Sequence, residues 1–322
     1  MIHGQRALLD ADLEQVVGRL HSEETSVAPY REDYRRLLDN HGKMIRASLV
    51  LMFGRAQAGS SSEPFAPESP VVTGAAAIEM LHLATLVHDD VLDEADTRRG
   101  QPTVHTIHGN KVAIYLGDLI LSRYMEIMAS IAPTTSFIQE QASTVCEIVG
   151  GELLQESGRG NTSVSRNYYE HAIQGKTAAL FRLACTTGVH LSVDSPAPEL
   201  LAAAHDFGQH LGMAFQIIDD IGDFDVAHNS GKPKLEDIRE QIYTLPVILG
   251  LESDPAFHKI VELRDPLKVL DYLQAHPQLI EGTKEAARQE ISQAQQALES
   301  APINPKVASI LNALARKLAA QV

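Results

Sequence analysis

Two segments of the sequence each carry three aspartates at helical spacing behind an apolar stretch. The six carboxylates are Asp89, Asp90 and Asp93 in the first segment and Asp219, Asp220 and Asp223 in the second. Residues four apart lie on one face of a helix, about 5–6 Å from each other, and like charges there destabilise the helix. Oxygen-only ligands select hard cations, and Mg²⁺ takes one or two carboxylates together with water and substrate phosphates. Two such clusters facing each other across a cavity could hold several Mg²⁺ ions and a diphosphate.

A single cluster of this kind would as readily be a solvated acidic helix end, because short acidic patterns recur by chance. Two copies, each at the end of an apolar helix, favour the metal-site interpretation.

Basic residues elsewhere in the chain could supply the positive charge that a diphosphate needs. They are Lys43, Arg46, Arg98, Arg99, Lys176 and Lys232. Arginine suits bidentate contact with phosphate. His82 lies seven residues, or two helical turns, before Asp89 on the same face. Each cation alone would be an ordinary surface charge, so the argument depends on their appearing together. Gly175-Lys176-Thr177 is similar to the end of a P-loop, but Glu170 stands where the first glycine belongs.

Composition excludes several classes of protein. The chain has 322 residues, of which 44% are hydrophobic, and its 27 basic and 42 acidic residues give a net charge of −15. This balance is that of a folded globular protein, and it disfavours nucleic acid as a partner because the acidic surface repels phosphates.

The sequence also predicts a cytoplasmic chain without stable membrane insertion. The two cysteines, Cys146 and Cys185, form no metal-type pair and are expected to be reduced. The first ten residues become acidic before any apolar run of signal-peptide length. The most apolar long segment, residues 71–88, is interrupted by Glu79 and His82.

Apolar residues recur at i, i+3, i+4 and i+7 along much of the chain, which predicts amphipathic helices. The segments with this pattern are 75–93, 110–131, 136–154, 168–189 and 199–223, with further helices predicted at 283–300 and 306–321. No stretch alternates polar and apolar residues for long enough to form a buried sheet. The breaks, such as the Gly/Ser/Pro-rich residues 59–70, are too short for convincing domain linkers. The prediction is an all-α fold of ten or more helices in a single domain over residues 1–322.

At this point the two acidic segments show a family resemblance. Residues 86–103, which contain Asp89-Asp90-Val91-Leu92-Asp93 and Arg98-Arg99-Gly100, resemble the first aspartate-rich motif of the trans-polyprenyl diphosphate synthases. Residues 215–223 resemble the second. Shorter matches follow in the family's order and spacing at Gly117-Asp118, 151–155, 175–178, 231–233 and 244–246. The resemblance runs from about residue 30 to the end of the chain. It implies a helical bundle around a deep central cavity, either homodimeric or paired with a small accessory subunit.

The resemblance also implies a reaction and a set of site residues. Several Mg²⁺ ions held by Asp89, Asp93 and Asp219 would bind the diphosphate of an allylic primer, and its departure would leave an allylic cation. The double bond of isopentenyl diphosphate would attack that cation. Carried over by motif, the catalytic set is Asp89, Asp90, Asp93, Asp219, Asp220 and Lys176. Isopentenyl diphosphate would be held by Lys43, Arg46, His82 and Arg99. The allylic diphosphate would be surrounded by Arg98, Lys176, Thr177, Gln216 and Lys232.

The chain departs from the family pattern in two places. The usual GGKRxRP reads His41-Gly42-Lys43-Met44-Ile45-Arg46-Ala47 here, which keeps both cations assigned to isopentenyl diphosphate. After the second motif, Leu235 and Gln241 stand where glycines are common. The shape of that loop is therefore left open.

Product length is expected to depend on the helix before the first motif. Ala84, five residues before Asp89, is small, as is Ala77, and Leu81 is the bulkiest residue of that stripe. A small side chain leaves space for a longer apolar chain, which favours a product of roughly C30–C40. The alternative is a residue on another helix that stops growth at C20, the geranylgeranyl length.

Two other functions compete with this interpretation. A class I terpene cyclase also uses a helical bundle and an aspartate-rich motif, but it normally lacks a second DDxxD and needs aromatic residues, which make up only 5% of this chain. A non-catalytic subunit tends to lose the aspartates, and all six are present here. A catalytic subunit that needs an accessory chain would look the same as this sequence.

Overall fold

The computed structural model describes residues 2–39, 42–57, 63–225, 234–299 and 301–322. Within them the chain forms sixteen α-helices and one short hairpin. The helices before the hairpin are α1 (Ile2–Ser22), α2 (Arg31–Asp39), α3 (Ile45–Phe53) and α4 (Pro70–Leu92). The hairpin strands are β1 (Thr97–Arg98) and β2 (Gln101–Pro102). The next helices are α5 (Val104–His108), α6 (Asn110–Ser130), α7 (Thr135–Ser157), α8 (Arg166–Ile173), α9 (Ala179–Ser192) and α10 (Pro198–Phe224). The last are α11 (Glu236–Arg239), α12 (Leu245–Ser253), α13 (Pro255–Glu262), α14 (Pro266–Ala275), α15 (Pro277–Glu299) and α16 (Pro305–Ala319).

The all-α prediction is confirmed, with two differences in the helices. The segment expected at 168–189 is divided, because a π-helical turn at Gln174–Ala178 separates α8 from α9. Helix α15 begins at Pro277, six residues before its predicted start. Proline is favoured in the first helical turn because its missing N–H has no partner there.

Capping residues explain where several helices begin. Ser69 precedes Pro70 and accepts a hydrogen bond from the Val71 amide, and Asp254 and Asp265 do the same for α13 and α14. Each of these residues is followed by a proline that is preset for the first turn. The sequence pair "capping side chain, then proline" therefore determines these three starts locally.

The chain divides into two compact units. Unit 1 comprises Met1–Ser143, Leu183–Ala204 and Ala301–Ala308, and α4 is its central helix. Helix α4 packs most extensively against α6 and also contacts α1 and α3. Among the described residues, α4 is the one helix long and apolar enough to cross a membrane. Of its most apolar 18-residue stretch, 67% is buried inside the protein. That burial is typical of a core helix.

Unit 2 comprises Thr144–Arg182, His205–Ser300 and Ser309–Val322. Its core is built where α12 packs against α8, α13, α14 and α15. The buried ring of Phe257 stacks on Tyr272, which stacks in turn on His276. The prediction of a single domain over residues 1–322, and that of a deep central cavity, stay predictions.

Candidate functional site

The first aspartate-rich segment lies at the C-terminal end of α4. Asp93 is the residue after the last helical position, and its amide donates to the Asp89 carbonyl oxygen at 2.8 Å. Asp89 and Asp93 are therefore one turn apart, the first half-buried and the second exposed. Asp90 is different: it is 2% exposed, and one of its carboxylate oxygens accepts from Arg98 Nε at 2.6 Å.

The β1–β2 hairpin delivers two arginines to this end of unit 1. Its turn residues Arg99 and Gly100 have φ values of 51° and 78°, the left-handed conformation that a two-residue type I′ turn requires. Arginine rarely adopts this conformation, and such strain is held where the surroundings enforce it. The guanidinium of Arg99 lies against Gly42, where an added Cβ would sit 2.7 Å from Nη2. A side chain at position 42 would therefore displace the Arg99 guanidinium from this place.

A half-buried histidine lies among these arginines. Burial lowers the pKa of His82 well below its usual value, and the charges of Arg46, Arg98 and Arg99 lower that pKa further. Burial also lowers the pKa of Arg46 to about 10, against the opposing charge of Glu79. The imidazole is therefore neutral at pH 7 and is surrounded by three guanidinium groups. We call Arg46, His82, Arg98 and Arg99 the arginine–histidine cluster.

Helix α6 holds the end of α4 through His88. Its Nε2 lies 3.2 Å from a carboxylate oxygen of Asp118 and 3.3 Å from the Ile114 carbonyl oxygen. A side chain at Gly117 would collide with the imidazole. Gly117 thus leaves space for the His88 ring, and Asp118 contacts it. Both residues help to hold the turn that carries Asp89.

The second aspartate-rich segment lies at the end of α10 in unit 2. Asp220 is 4% exposed, and both of its carboxylate oxygens accept hydrogen bonds. Tyr169 donates its hydroxyl to Oδ2 at 2.6 Å, and Gln216 donates Nε2 to Oδ1 at 2.7 Å. Thr177 in turn donates to Gln216 Oε1 at 2.5 Å. Burial raises the pKa of Asp220 to about 6.

The π-helical turn positions Lys176 beside this network. An added Cβ on Gly151 of α7 would collide with the Lys176 amide nitrogen, and one on Gly175 would lie 2.7 Å from the Glu147 carbonyl oxygen. The two glycines thus let the backbones touch. Lys176 Nζ lies 3.4 Å from a carboxylate oxygen of Glu152. Single π turns inside helices are frequent at functional sites.

Carboxylates are concentrated around Asp220. Asp219 is exposed, and burial raises the pKa of Asp223. Oδ2 of Asp223 is buried and has no hydrogen-bond partner among the described residues. Asp237, on α11, joins them: burial raises its pKa well above the usual value, and the charges of Asp220 and Asp223 raise it further. Such a set of oxygens calls for a cation.

The structure brings together most of the residues singled out in the sequence. It gathers Arg46, His82, Arg98 and Arg99 in unit 1 and joins Thr177, Gln216 and Asp220 in unit 2. Arg98 contacts Asp90, and its charge acts on His82, while its expected place beside the allylic diphosphate stays a prediction. Lys43 is exposed next to Gly42, and Lys232 lies outside the described residues. Ala77, Leu81 and Ala84 are all buried on α4.

Three residues of the candidate site were not identified from the sequence. Tyr169 stands seven residues, or two turns, before Lys176, and Asp237 follows Lys232 by five residues. Glu79, which accepts from the Ala47 amide at 2.8 Å, lies three residues before His82 on the same helix. Only the helical spacing of Tyr169 and Glu79 was a usable signal.

Leu235 and Gln241, which replace common glycines, keep a glycine-like backbone. Their φ values are 60° and 62°. Leu235 is buried in the unit 2 core, so its side-chain packing stabilises an unfavourable backbone conformation. Both positions therefore adopt a left-handed backbone without glycine.

A hard divalent cation fits both acidic segments. Their ligand atoms are carboxylate oxygens, and the partnerless Oδ2 of Asp223 is a group that a cation would satisfy. Among the described residues, no group of three or more His, Cys, Asp or Glu side chains is arranged to hold a metal ion. Mg²⁺ commonly takes one or two carboxylates together with water and substrate phosphates.

Comparison with known proteins places the chain in a family. The polyprenyl synthetase family model matches residues 28–275. Solanesyl-diphosphate synthase 1 of Oryza sativa is 39% identical over 230 residues, which are 70% of this chain and 53% of that protein. Heptaprenyl diphosphate synthase component 2 of Geobacillus stearothermophilus is 33% identical over 77% of this chain and 73% of its own length. The chain thus spans about half the length of the rice relative.

A solved structure supports the same conclusion. The polyprenyl synthase of Caulobacter crescentus, complexed with calcium and isoprenyl diphosphate, matches with a TM-score of 0.83 and 27% identity. The match covers 99% of this chain and 97% of that one. With the family model matching well over half of the residues, this chain belongs to the polyprenyl synthetase family.

Proposed function

We propose that this chain is a Mg²⁺-dependent trans-polyprenyl diphosphate synthase. It would join isopentenyl diphosphate head-to-tail to an allylic diphosphate and make an all-trans product of C30–C40. The observation that carries the proposal is the arginine–histidine cluster, which lies in the same unit as Asp89 and Asp93. An acidic segment that attracts metal ions, with a separate basic cluster, suits an enzyme that must hold two diphosphates at once.

Each group of the cluster has a distinct task in this proposal. Arg46 and Arg99, with Lys43 beside them, bind the diphosphate of isopentenyl diphosphate, since guanidinium groups make bidentate contacts with phosphate. His82, kept neutral by burial and by the neighbouring guanidinium charges, donates a hydrogen bond without adding charge. Arg98 balances the buried charge of Asp90 and, by motif, also belongs to the groups around the allylic diphosphate.

Metal ions would be held by Asp89, Asp93 and Asp219. The partnerless oxygen of Asp223 supports a cation at the second segment, and the calcium in the Caulobacter structure supports it for the family. Bound Mg²⁺ would supply Lewis-acid stabilisation of the leaving diphosphate. Lys176 binds an oxygen of the same diphosphate, while Thr177, Gln216 and Asp220 form the hydrogen-bonded support behind it. Lys232 belongs to this set by motif.

Chain length is set by the buried stripe of α4. Ala84 and Ala77 are small, and no aromatic side chain stands in the stripe with Leu81. Relatives named for solanesyl and heptaprenyl products support a product longer than C20.

The protein works as a homodimer or with a small accessory chain in the cytoplasm. The exposed apolar side chains Ile114, Tyr115 and Leu119 on α6 support a protein partner. The relative named as component 2 supports the two-chain form.

One assay tests the proposal. The purified chain is incubated with Mg²⁺, farnesyl diphosphate and labelled isopentenyl diphosphate, and the dephosphorylated products are separated by length. A single product of C30–C40 is expected, and Ala84→Phe should shorten it. A C20 product would keep the class and overturn the length. Diphosphate release without elongation would indicate a cyclase. A chain that is inactive alone and becomes active when a small accessory chain is added would establish the two-chain form.

A further inference from the structure

Tyr169 is the buried partner of the second acidic segment. It lies on α8, outside both aspartate-rich motifs, and is 4% exposed. Its hydroxyl donates to Asp220 Oδ2 at 2.6 Å, and Gln216 occupies the other oxygen. Both carboxylate oxygens of Asp220 therefore accept hydrogen bonds from neutral donors, and the charge of Lys176 acts on the same carboxylate.

The neighbouring Tyr168 has a different task. Its hydroxyl donates to the backbone carbonyl oxygens of Leu154 and Gln155, the latter at 3.1 Å. Both adjacent tyrosines thus donate a hydroxyl hydrogen bond. Tyr169 donates to a carboxylate of the acidic segment, whereas Tyr168 donates to backbone carbonyl oxygens at the end of α7. The chain offers a matched control at the next residue.

We propose that Tyr169 is a positioning residue that holds Asp220 so that the second acidic segment binds divalent cations, an inference that rests on the proposed function. A hydroxyl fixes the orientation of the carboxylate, which through Gln216 also fixes Thr177. A cationic partner would fix it equally well but would neutralise the charge that attracts the metal. The choice of a neutral donor preserves that attraction.

The test removes only the hydroxyl. In Tyr169→Phe we expect the Mg²⁺ concentration for half-maximal activity to rise about tenfold, the change expected from losing one hydrogen bond to a charged group. The KM for isopentenyl diphosphate should stay unchanged, because its proposed binding groups lie in unit 1. Tyr168→Phe should change neither quantity. Equal Mg²⁺ requirements in Tyr169→Phe and the wild type would overturn the proposal, as would equal shifts in both variants.

A second readout does not need turnover. Binding of Mn²⁺, used as a spin-active stand-in, is titrated by electron paramagnetic resonance in the presence of inorganic diphosphate. We expect about tenfold weaker binding in Tyr169→Phe and wild-type binding in Tyr168→Phe. A wild-type protein that binds Mn²⁺ but elongates nothing would contradict the proposed function while still testing Tyr169.

A double-mutant cycle separates positioning from general stability. If Tyr169 acts through Asp220, Tyr169→Phe should have little further effect on Mn²⁺ binding in an Asp220→Asn background. Additive losses would show that Tyr169 acts elsewhere and would refute the inference. If Tyr169→Phe folds poorly, Asp220→Asn changes the same hydrogen bond at its acceptor, and its Mn²⁺ binding is measured in the same way.

Discussion

The two aspartate-rich segments have the same pattern but different partners. In each, the middle aspartate is buried, and an outer aspartate one residue before it is more exposed. Asp90 is paired with Arg98, a full positive charge, at 2.6 Å. Asp220 is held by the neutral hydroxyl of Tyr169 and the amide of Gln216. The middle aspartate of the first segment is therefore paired with a cation, whereas that of the second accepts hydrogen bonds from neutral groups.

The difference appears in the pKa values of the second segment. Burial raises the pKa of Asp220 to about 6, and the pKa values of Asp223 and Asp237 are also raised by burial. A protein without metal must therefore either protonate these groups or bear their repulsion. The comparison teaches that the same DDxxD spacing can give the middle aspartate a cationic partner in one segment and neutral hydrogen-bond donors in the other.

The largest expected effect tests what the two segments share. Asp89→Ala and Asp219→Ala should each lower kcat/KM by about a thousandfold, since each removes a group proposed to hold the metal at the leaving diphosphate. Asp206→Ala, an exposed aspartate on the same helix as Asp219, should retain full activity. Steady-state kinetics at saturating Mg²⁺ decide the matter. Retained activity in either of the first two variants would remove that aspartate from the metal site.

The next effect sharpens the comparison by separating the two diphosphates. Arg99→Ala should raise the KM for isopentenyl diphosphate by about a hundredfold, as expected for losing a bidentate, charge-assisted contact. Its Mg²⁺ requirement should not change, unlike that of Tyr169→Phe. Arg166→Ala is the control, because the exposed Arg166 side chain forms an ion pair with Glu170 on the same helix, away from both aspartate-rich segments in sequence. A raised Mg²⁺ requirement in Arg99→Ala would erase the proposed division of labour.

The smallest effect concerns stability without metal. At pH 7.5 with a chelator, Asp90→Asn should lose about 2 kcal/mol of unfolding free energy, because the buried end of the ion pair with half-exposed Arg98 is removed. Asp220→Asn should gain about 1–2 kcal/mol, because the cost of ionising a buried carboxyl disappears. Urea unfolding measures both values. A loss of stability in both variants would end the distinction between charged and neutral partners.

The pH dependence of the stability change in Asp220→Asn follows from the direction in which the pKa of Asp220 is shifted. The pKa of Asp220 in the folded protein, about 6, exceeds the usual value of 3.8. Its contribution is thus fully present below pH 3.8 and is lost as the pH rises through 6. The stability that Asp220 lends should therefore fall between about pH 4 and pH 6 in the wild type, and this part of the slope should be absent in Asp220→Asn.

Much of the site could be predicted because its geometry is local. The spacing of Asp89 and Asp93 on one helix face depends only on helical periodicity, and the cations at 43, 46 and 99 were recognisable from motif order. The contact of Arg98 with Asp90 was not, because it depends on how the hairpin that carries Arg98 folds back towards the end of α4. Thr177 and Gln216 were expected on a diphosphate, and the structure shows them bonded to each other.

The sequence by itself determined the helices, their capped starts and the one-turn spacing of the outer aspartates, since these follow from contacts within a few residues. Tertiary structure alone decided which aspartate is buried against what. Tyr169 meets Asp220 across 51 residues, and Arg46 on α3 meets Glu79 and His82 on α4. Burial and partner charge set the pKa of a carboxyl or imidazole, and both are properties of packing between distant segments. For that reason the contrast between two segments with the same DDxxD spacing is visible only in the fold.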